Sequence, residues 1–253
     1  MSAEHVDYAV HGPTARVTLN SPHNRNALSS ALVEGLHRAL RDAAADPKVR
    51  AVVLGHTGGT FCAGADLSEA SEGGPDVRTR QLTELLRAIL ELPLPVVGAI
   101  DGHVRAGGFG LVGACDIVVA GRNSTFALTE ARIGVAPAII SLTLLPKMTP
   151  RSVGRYFLTA EKFGAEEAER IGLVTIATDD VEAAVGEITR ELGRGSPQGL
   201  RESKALTTAG ILDGFDRRAE ALSAQSARLF ASEEAREGML AFLQKRAPSW
   251  AGD

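Results

Sequence analysis

Residues 105–111 read RAGGFGL and residues 114–120 read ACDIVVA. Three glycines fall within four positions of a turn that carries no carboxylate, thiol or hydroxyl, and an apolar, β-branched run follows at once. Gly108, Gly110 and Gly113 satisfy the spacing G-x-G-x-x-G, and Glu130 lies about twenty residues further on, so a dinucleotide-binding turn has to be weighed first. The spacing argues against it. Such glycines open a crossover helix, and a parallel crossover needs a dozen or more residues before the next strand. Here the strand-like DIVVA begins at Asp116, only six residues after Gly110.

A short helix entered directly from this turn has another use. Backbone N–H groups at a helix start have no intrahelical partner, the helix dipole favours negative charge there, and glycine lets a ligand approach the peptide closely. Tight packing of helix on strand would call for the same glycines, and this stretch alone leaves both uses open. A second stretch bears on the choice. GGTFCAGADLSEA (58–70) follows the apolar run AVVLGH (51–56) and again sets small residues at a strand-to-helix turn, with Asp66 and Ser68 expected in the first helical turn. Two such turns can aim two N–H donors at one oxygen.

Working outward, the chain reads as alternating strand and helix. TARVTL (14–19) alternates as a half-buried strand does, and AVVLGH, PVVGAI (95–100) and CDIVVA (115–120) read as strands of a covered sheet. Leu28, Leu32, Leu36 and Leu40 recur every fourth residue and predict a covering helix, with Ser29 or Asn26 as its cap and Pro47 as its stop. A second helix is expected over 77–92, ended by LPLP at 92–95. Past GRGSPQG (193–199), a loop or helix entry, Ala, Glu, Arg and Leu dominate, so residues 1–195 are expected to form the core and 196–253 a helical region with breaks near Gly210 and Gly214.

Composition narrows the classes. The 253 residues are 44% apolar and carry a net charge of −4, enough for a substantial core but with no excess of positive charge for nucleic acid or an anionic membrane. No stretch approaches the ~18 consecutive apolar residues of a membrane span, and MSAEHVDYAVHG lacks the marks of a secretory leader, so a cytoplasmic protein is expected. Cys62 and Cys115 make neither a disulfide framework nor a metal pair and are expected to be buried.

The stretches FCAGADL (61–67) and AGGFGLVGACDI (106–117) together resemble the crotonase superfamily, the enoyl-CoA hydratase/isomerase family. SPHNRNALSSAL (21–32) is similar to that family's N-terminal CoA-side loop, EARIGVAPAIIS (130–141) to its catalytic segment, and AFLQKRAPSW (241–250) to its C-terminal signature. The resemblance implies an α/β fold, a spiral of ββα units with a C-terminal helical trimerisation region, assembled as a homotrimer or a dimer of trimers. It implies an acyl-CoA thioester as ligand and no metal or redox cofactor. Carried over by position, the backbone N–H groups of Ala65 and Gly107 are the expected oxyanion hole for the thioester carbonyl, and Glu130 the proton carrier. Arg25, Ala27, Ala63, Ala65 and Leu67 are expected along the CoA, with Phe242 and Lys245 closing over its nucleotide. Gly108, Gly110, Pro137, Ile139 and Ile140 are expected at the acyl pocket, together with Ala138 and Leu142.

The sequence departs from the family's two-glutamate pattern, since Gly110 stands at the first position. A single carboxylate leaves three functions to weigh: hydration of a 2-enoyl-CoA, which leads; shift of a 3-enoyl double bond; and thioester binding without chemistry. GGFGLVGACDI, EARIGVAPAIIS and RYFLTAEKFGAEEAERIGLV (155–174) are closest in wording to the bacterial methylglutaconyl-CoA hydratase branch, where glycine at this position is common. Its substrates carry a distal carboxylate, and Arg105 and Arg132, which flank the two motifs, are the candidate cations. Asp116 is expected to be a buried hydrogen-bond acceptor at a strand start.

Overall fold

The computed structural model describes residues 5–66, 69 and 74–252. Its larger sheet has six strands in the order β1 (Val6–His11), β2 (Thr14–Leu19), β3 (Ala51–His56), β5 (Val96–Ile100), β7 (Ile117–Gly121) and β10 (Ile176–Thr178). Only the β1–β2 pair is antiparallel. A smaller sheet runs β4 (Thr60–Cys62), β6 (His103–Arg105), β8 (Thr125–Ala127) and β9 (Phe163–Gly164), with β4, β6 and β8 mutually parallel. From β3 to β8 the chain therefore lays its strands alternately in the large sheet and the small one. That is the ββα spiral which the resemblance implies.

The reason lies in the residues. β3, β5 and β7 are continuous apolar runs buried on both faces, whereas β2 alternates and buries Ala15, Val17 and Leu19 alone. The helices α1 (Ser30–Ala45), α2 (Gly74–Glu91) and α3 (Gly108–Ala114) follow in order. Ser29 caps α1 by accepting from the Leu32 N–H, so Leu28 stands before the helix rather than in it. After β8 come a 3-10 turn at Glu130–Ile133, α4 (Ser141–Leu144), α5 (Pro150–Thr159), α6 (Ala165–Arg170) and α7 (Val181–Leu192). Phe109, Phe126 and Phe163 form an aromatic cluster under the small sheet, with ring centroids 5.6–6.2 Å apart. Cys62 and Cys115 are buried, as their spacing suggests, and burial pushes both thiols up to about 12.

The C-terminal region consists of α8 (Pro197–Phe230) and α9 (Glu233–Leu243). Ser196 caps α8 by accepting from the Gly199 N–H, and Pro197 occupies the first turn, where its missing N–H costs nothing. Gly210 and Gly214 do not break this helix. They face open space, and strong helix formers around them offset the roughly 1 kcal/mol that each glycine costs. α8 is anchored on the core by Lys204. Its buried ammonium donates to Ile89 O (2.8 Å), Leu94 O (2.9 Å) and Asp116 Oδ2 (2.9 Å), which satisfies all three protons. Asp116 also accepts from the Val96 N–H at 2.7 Å, so it is the acceptor at a strand start that the sequence suggests, although half-buried rather than buried.

Candidate active site

Three neighbouring parallel strands end at one edge of the small sheet. Ala65 comes three residues after β4, Gly107 two residues after β6, and Glu130 three residues after β8. The pairings Cys62 with Val104 and Val104 with Phe126 hold these ends side by side. Residues far apart in the chain therefore meet because the chain spirals.

The two glycine turns touch. A Cβ built on Gly107 would lie 3.4 Å from Gly64 Cα and 3.8 Å from Ala65 N, and one on Gly64 would lie 2.8 Å from Ala106 Cβ. Gly64 has φ +92°, and Ala106 holds φ +44°, a left-handed conformation unusual for a residue with a side chain. The Leu28 N–H donates to Gly64 O at 2.7 Å and the Ala63 N–H to Arg25 O at 3.1 Å, which fixes the first turn. Phe109 and Gly110 donate back to Ala106 and Gly107 as α3 starts. The N–H groups of Ala65 and Gly107 donate to no acceptor among the described residues. Both residues line a cavity of about 380 Å³.

Glu130 lines the same cavity and is buried, with 8% of its surface exposed. Its Oε2 is sealed from solvent and has no hydrogen-bond partner among the described residues. Burial pushes the carboxyl up from 4.5 to about 7, opposed only by a hydrogen bond from its own backbone N–H. The turn that carries it is clamped by α9. A Cβ on Gly134, where φ is +76°, would fall 2.6 Å from Glu234 C, and one on Gly238 would fall 2.5 Å from Ile133 C. Backbone meets backbone there, and no side chain fits between.

The remaining expected residues divide. Ala63, Pro137, Ala138, Ile139, Ile140 and Phe242 line the cavity. Gly108 and Gly110 do not, since Gly108 backs onto Cys62 and a Cβ on Gly110 would lie 2.8 Å from Ile140 Cγ2 and 3.0 Å from Leu86 Cδ1. Leu142 is buried in the core. Arg25, Ala27 and Lys245 lie outside the lining; Arg25 and Lys245 are exposed with φ near +60° and +53°, and Ala27 is buried. Leu67 and Ser68 fall outside the described residues, and Asp66 is not helical.

The two candidate cations are engaged elsewhere. Arg105 donates to Val104 O and Thr125 O, each at 2.7 Å, and to Thr125 Oγ1 at 2.8 Å, while Arg132 donates to Thr159 O at 3.2 Å. Neither lines the cavity. Arg78 does, and nothing in the local sequence singled it out. Leu28, expected on a helix face, lines the cavity as well.

The family model for enoyl-CoA hydratase/isomerase matches residues 11–253. The chain belongs to this family. An enoyl-CoA hydratase of Mycobacterium avium has a solved structure that is 65% identical, superimposes with a TM-score of 0.94, and covers 99% of this chain and 100% of that one. Mevalonyl-coenzyme A hydratase of Aspergillus fumigatus is 34% identical over 92% of this chain and 90% of that protein. Carnitinyl-CoA dehydratase of Salmonella typhi is 31% identical over 95% of this chain and 96% of that protein. As a member of the enoyl-CoA hydratase/isomerase family the chain is an enzyme of the hydro-lyase kind. Among the described residues, no helix is long and apolar enough to cross a membrane.

Proposed function

We propose that this enzyme adds water across the 2,3 double bond of a 2-enoyl-CoA thioester, using the Ala65 and Gly107 N–H groups and a single carboxylate, Glu130. One observation carries it: two backbone donors without acceptors and one buried carboxyl, whose Oε2 has no partner among the described residues, line the same apolar cavity. The thioester oxygen accepts from both N–H groups, which withdraws charge from C3 and stabilises the enolate as it forms. One such donor is worth about 2.7–4 kcal/mol in comparable sites. The Glu130 carboxylate takes a proton from water as its oxygen bonds to C3, then returns that proton to C2. The elements of water are added, and the carboxylate is regenerated.

A carboxyl held near 7 suits both halves of this cycle, since it is neither a spent base nor a reluctant acid. The wording of residues 107–117, 130–141 and 155–174 supports an acyl group of the methylglutaconyl kind. The chain works in the cytoplasm as a homotrimer or dimer of trimers, with the thioester as its ligand and no metal or redox cofactor. Exposed Leu240, Phe242 and Leu243 on α9 support a subunit contact.

A second reading, migration of a 3-enoyl double bond, is favoured by Glu130 being the only acid among the described lining residues. A proton shuttled between C2 and C4 needs no second carboxylate. The test is a paired assay of wild type and Glu130→Gln on a 2-enoyl-CoA and a 3-enoyl-CoA, read by product mass and by absorbance of the conjugated thioester. A gain of one water that falls roughly 100-fold or more in the variant supports hydration. Conjugation without water gain transfers the assignment to the isomerase, and binding without turnover to a thioester-binding protein.

A further inference from the structure

Among the described residues lining the cavity, only one besides Glu130 is charged, and it is Arg78. Arg78 stands on α2 one turn before Leu82, with Gln81 between them, and all three line the cavity from one side of the helix. Its Nη1 is sealed from solvent and donates to no acceptor among the described residues. By contrast Arg87, further along α2, is paired with both Glu91 and Asp216.

A guanidinium donor sealed from water without an acceptor is costly, and Leu82, Ile139 and Ile140, which line the same cavity, offer no side-chain acceptor. Glu130 does not complete it either: the push on that carboxyl comes from burial, with no cation opposing it. An anion brought by the ligand completes the site, and the planar guanidinium is matched to a carboxylate by two parallel hydrogen bonds.

An acyl-CoA thioester can present two anions, the CoA phosphates and a carboxylate at the far end of the acyl chain. The position on α2 favours the second. Its face runs from Arg78 through Leu82 to Leu86, which meets Ile140 at the closed Gly110 position, and Ile140 itself lines the cavity. Arg78 thus belongs to the apolar acyl wall, whereas the exposed cations Arg25 and Lys245 lie outside the cavity. We propose that Arg78 is the specificity-determining residue that binds a carboxylate at the far end of the acyl chain, so that carboxylated 2-enoyl-CoA thioesters are preferred to neutral ones. The proposal rests on the acyl-CoA reading of the cavity.

The test compares wild type, Arg78→Gln and Arg78→Lys on glutaconyl-CoA, which ends in a carboxylate, and crotonyl-CoA, which does not. Wild type is expected to favour glutaconyl-CoA in kcat/KM. Arg78→Gln should lose about 30-fold or more on that substrate and little on crotonyl-CoA, with Arg78→Lys in between. The retained crotonyl-CoA rate shows that the variant is folded. Equal losses on both substrates, together with weaker binding of free CoA, would assign Arg78 to the phosphates and overturn the proposal, as would an unchanged preference or a wild-type preference for crotonyl-CoA. Should wild type turn over neither thioester, the hydratase reading fails on its own. Calorimetric titration with the same two thioesters then decides the matter, because a charge preference in Kd that Arg78→Gln abolishes sustains the proposal and its absence ends it.

Discussion

Gly110 and Ile140 stand so close that a Cβ on the glycine would fall 2.8 Å from Ile140 Cγ2, with Leu86 Cδ1 at 3.0 Å. The position where a two-glutamate enzyme carries its first carboxylate is therefore closed by packing as well as lacking an acid. Gly110→Ala is expected to cost about 1–3 kcal/mol through overpacking, less the roughly 1 kcal/mol that alanine gains in a helix. Ile140→Ala in the same chain should relieve the clash and give a favourable coupling. Additive urea midpoints across that double-mutant cycle would show that the two side chains do not compete for space.

The pH profile follows from Glu130. In the proposed hydration the water-activating form is the carboxylate, and burial holds its carboxyl at about 7, so kcat/KM should rise tenfold per pH unit below 7 and level off above it. A profile already flat around pH 5 would mean that the carboxyl titrates like an ordinary glutamate, and the buried-base mechanism would fail.

Stability should move in the opposite sense. A carboxyl raised in the folded state binds its proton more tightly there than in the unfolded chain, so its contribution is full in acid and is lost as pH climbs from 4.5 through 7. Glu130→Gln removes the titration while keeping the shape. Relative to wild type the variant should gain nothing at low pH and up to about 3 kcal/mol above pH 7, at the expense of activity. Chemical denaturation of both proteins at pH 5 and pH 8 measures this, and a pH-independent difference would contradict it.

Much of the fold is legible in the sequence because buried strands and covering helices carry long periodic signals. β2, β3, β5, β7 and α1 are read from runs of five or more residues whose period is set by what they cover. β4, β6 and β8 have three residues each, too few for a period, although their ends carry the site. β1 carries no such signal, because five of its six residues are exposed at the sheet edge and leave no apolar alternation. Ala65, Gly107 and Glu130 are legible only through the motif resemblance. Arg78 and Lys204 are legible through nothing local, since an arginine or lysine on a helix reads as solvated until its neighbours from other elements are known.

Lys204 tests that last point. Its ammonium is buried on Asp116 and two carbonyls that end α2 and open β5; burial pulls its proton affinity down, and Asp116 opposes the loss. Lys204→Met leaves Asp116 as an uncompensated, half-buried charge and is expected to destabilise by about 2–4 kcal/mol, toward the lower end of what a fully buried pair costs. Adding Asp116→Asn should recover a large part, because the asymmetry rather than the pair is what costs. If Lys204→Met alone unfolds at the wild-type denaturant concentration, α8 is not anchored there.

The clamp of α9 on the turn that carries Glu130 gives the remaining prediction, and it separates positioning from simple stability. Gly238 packs on Ile133 with no room for a Cβ, so Gly238→Ala must lift α9 from the turn or shift the turn itself. Either movement lets water reach Glu130 and removes the burial that raises its carboxyl. The expected result is therefore a lower plateau in kcat together with an acid limb displaced below pH 7 toward the ordinary 4.5. A variant that merely unfolds more easily would lose total activity with its acid limb unmoved, so the position of that limb, measured well below the melting temperature, is the deciding quantity.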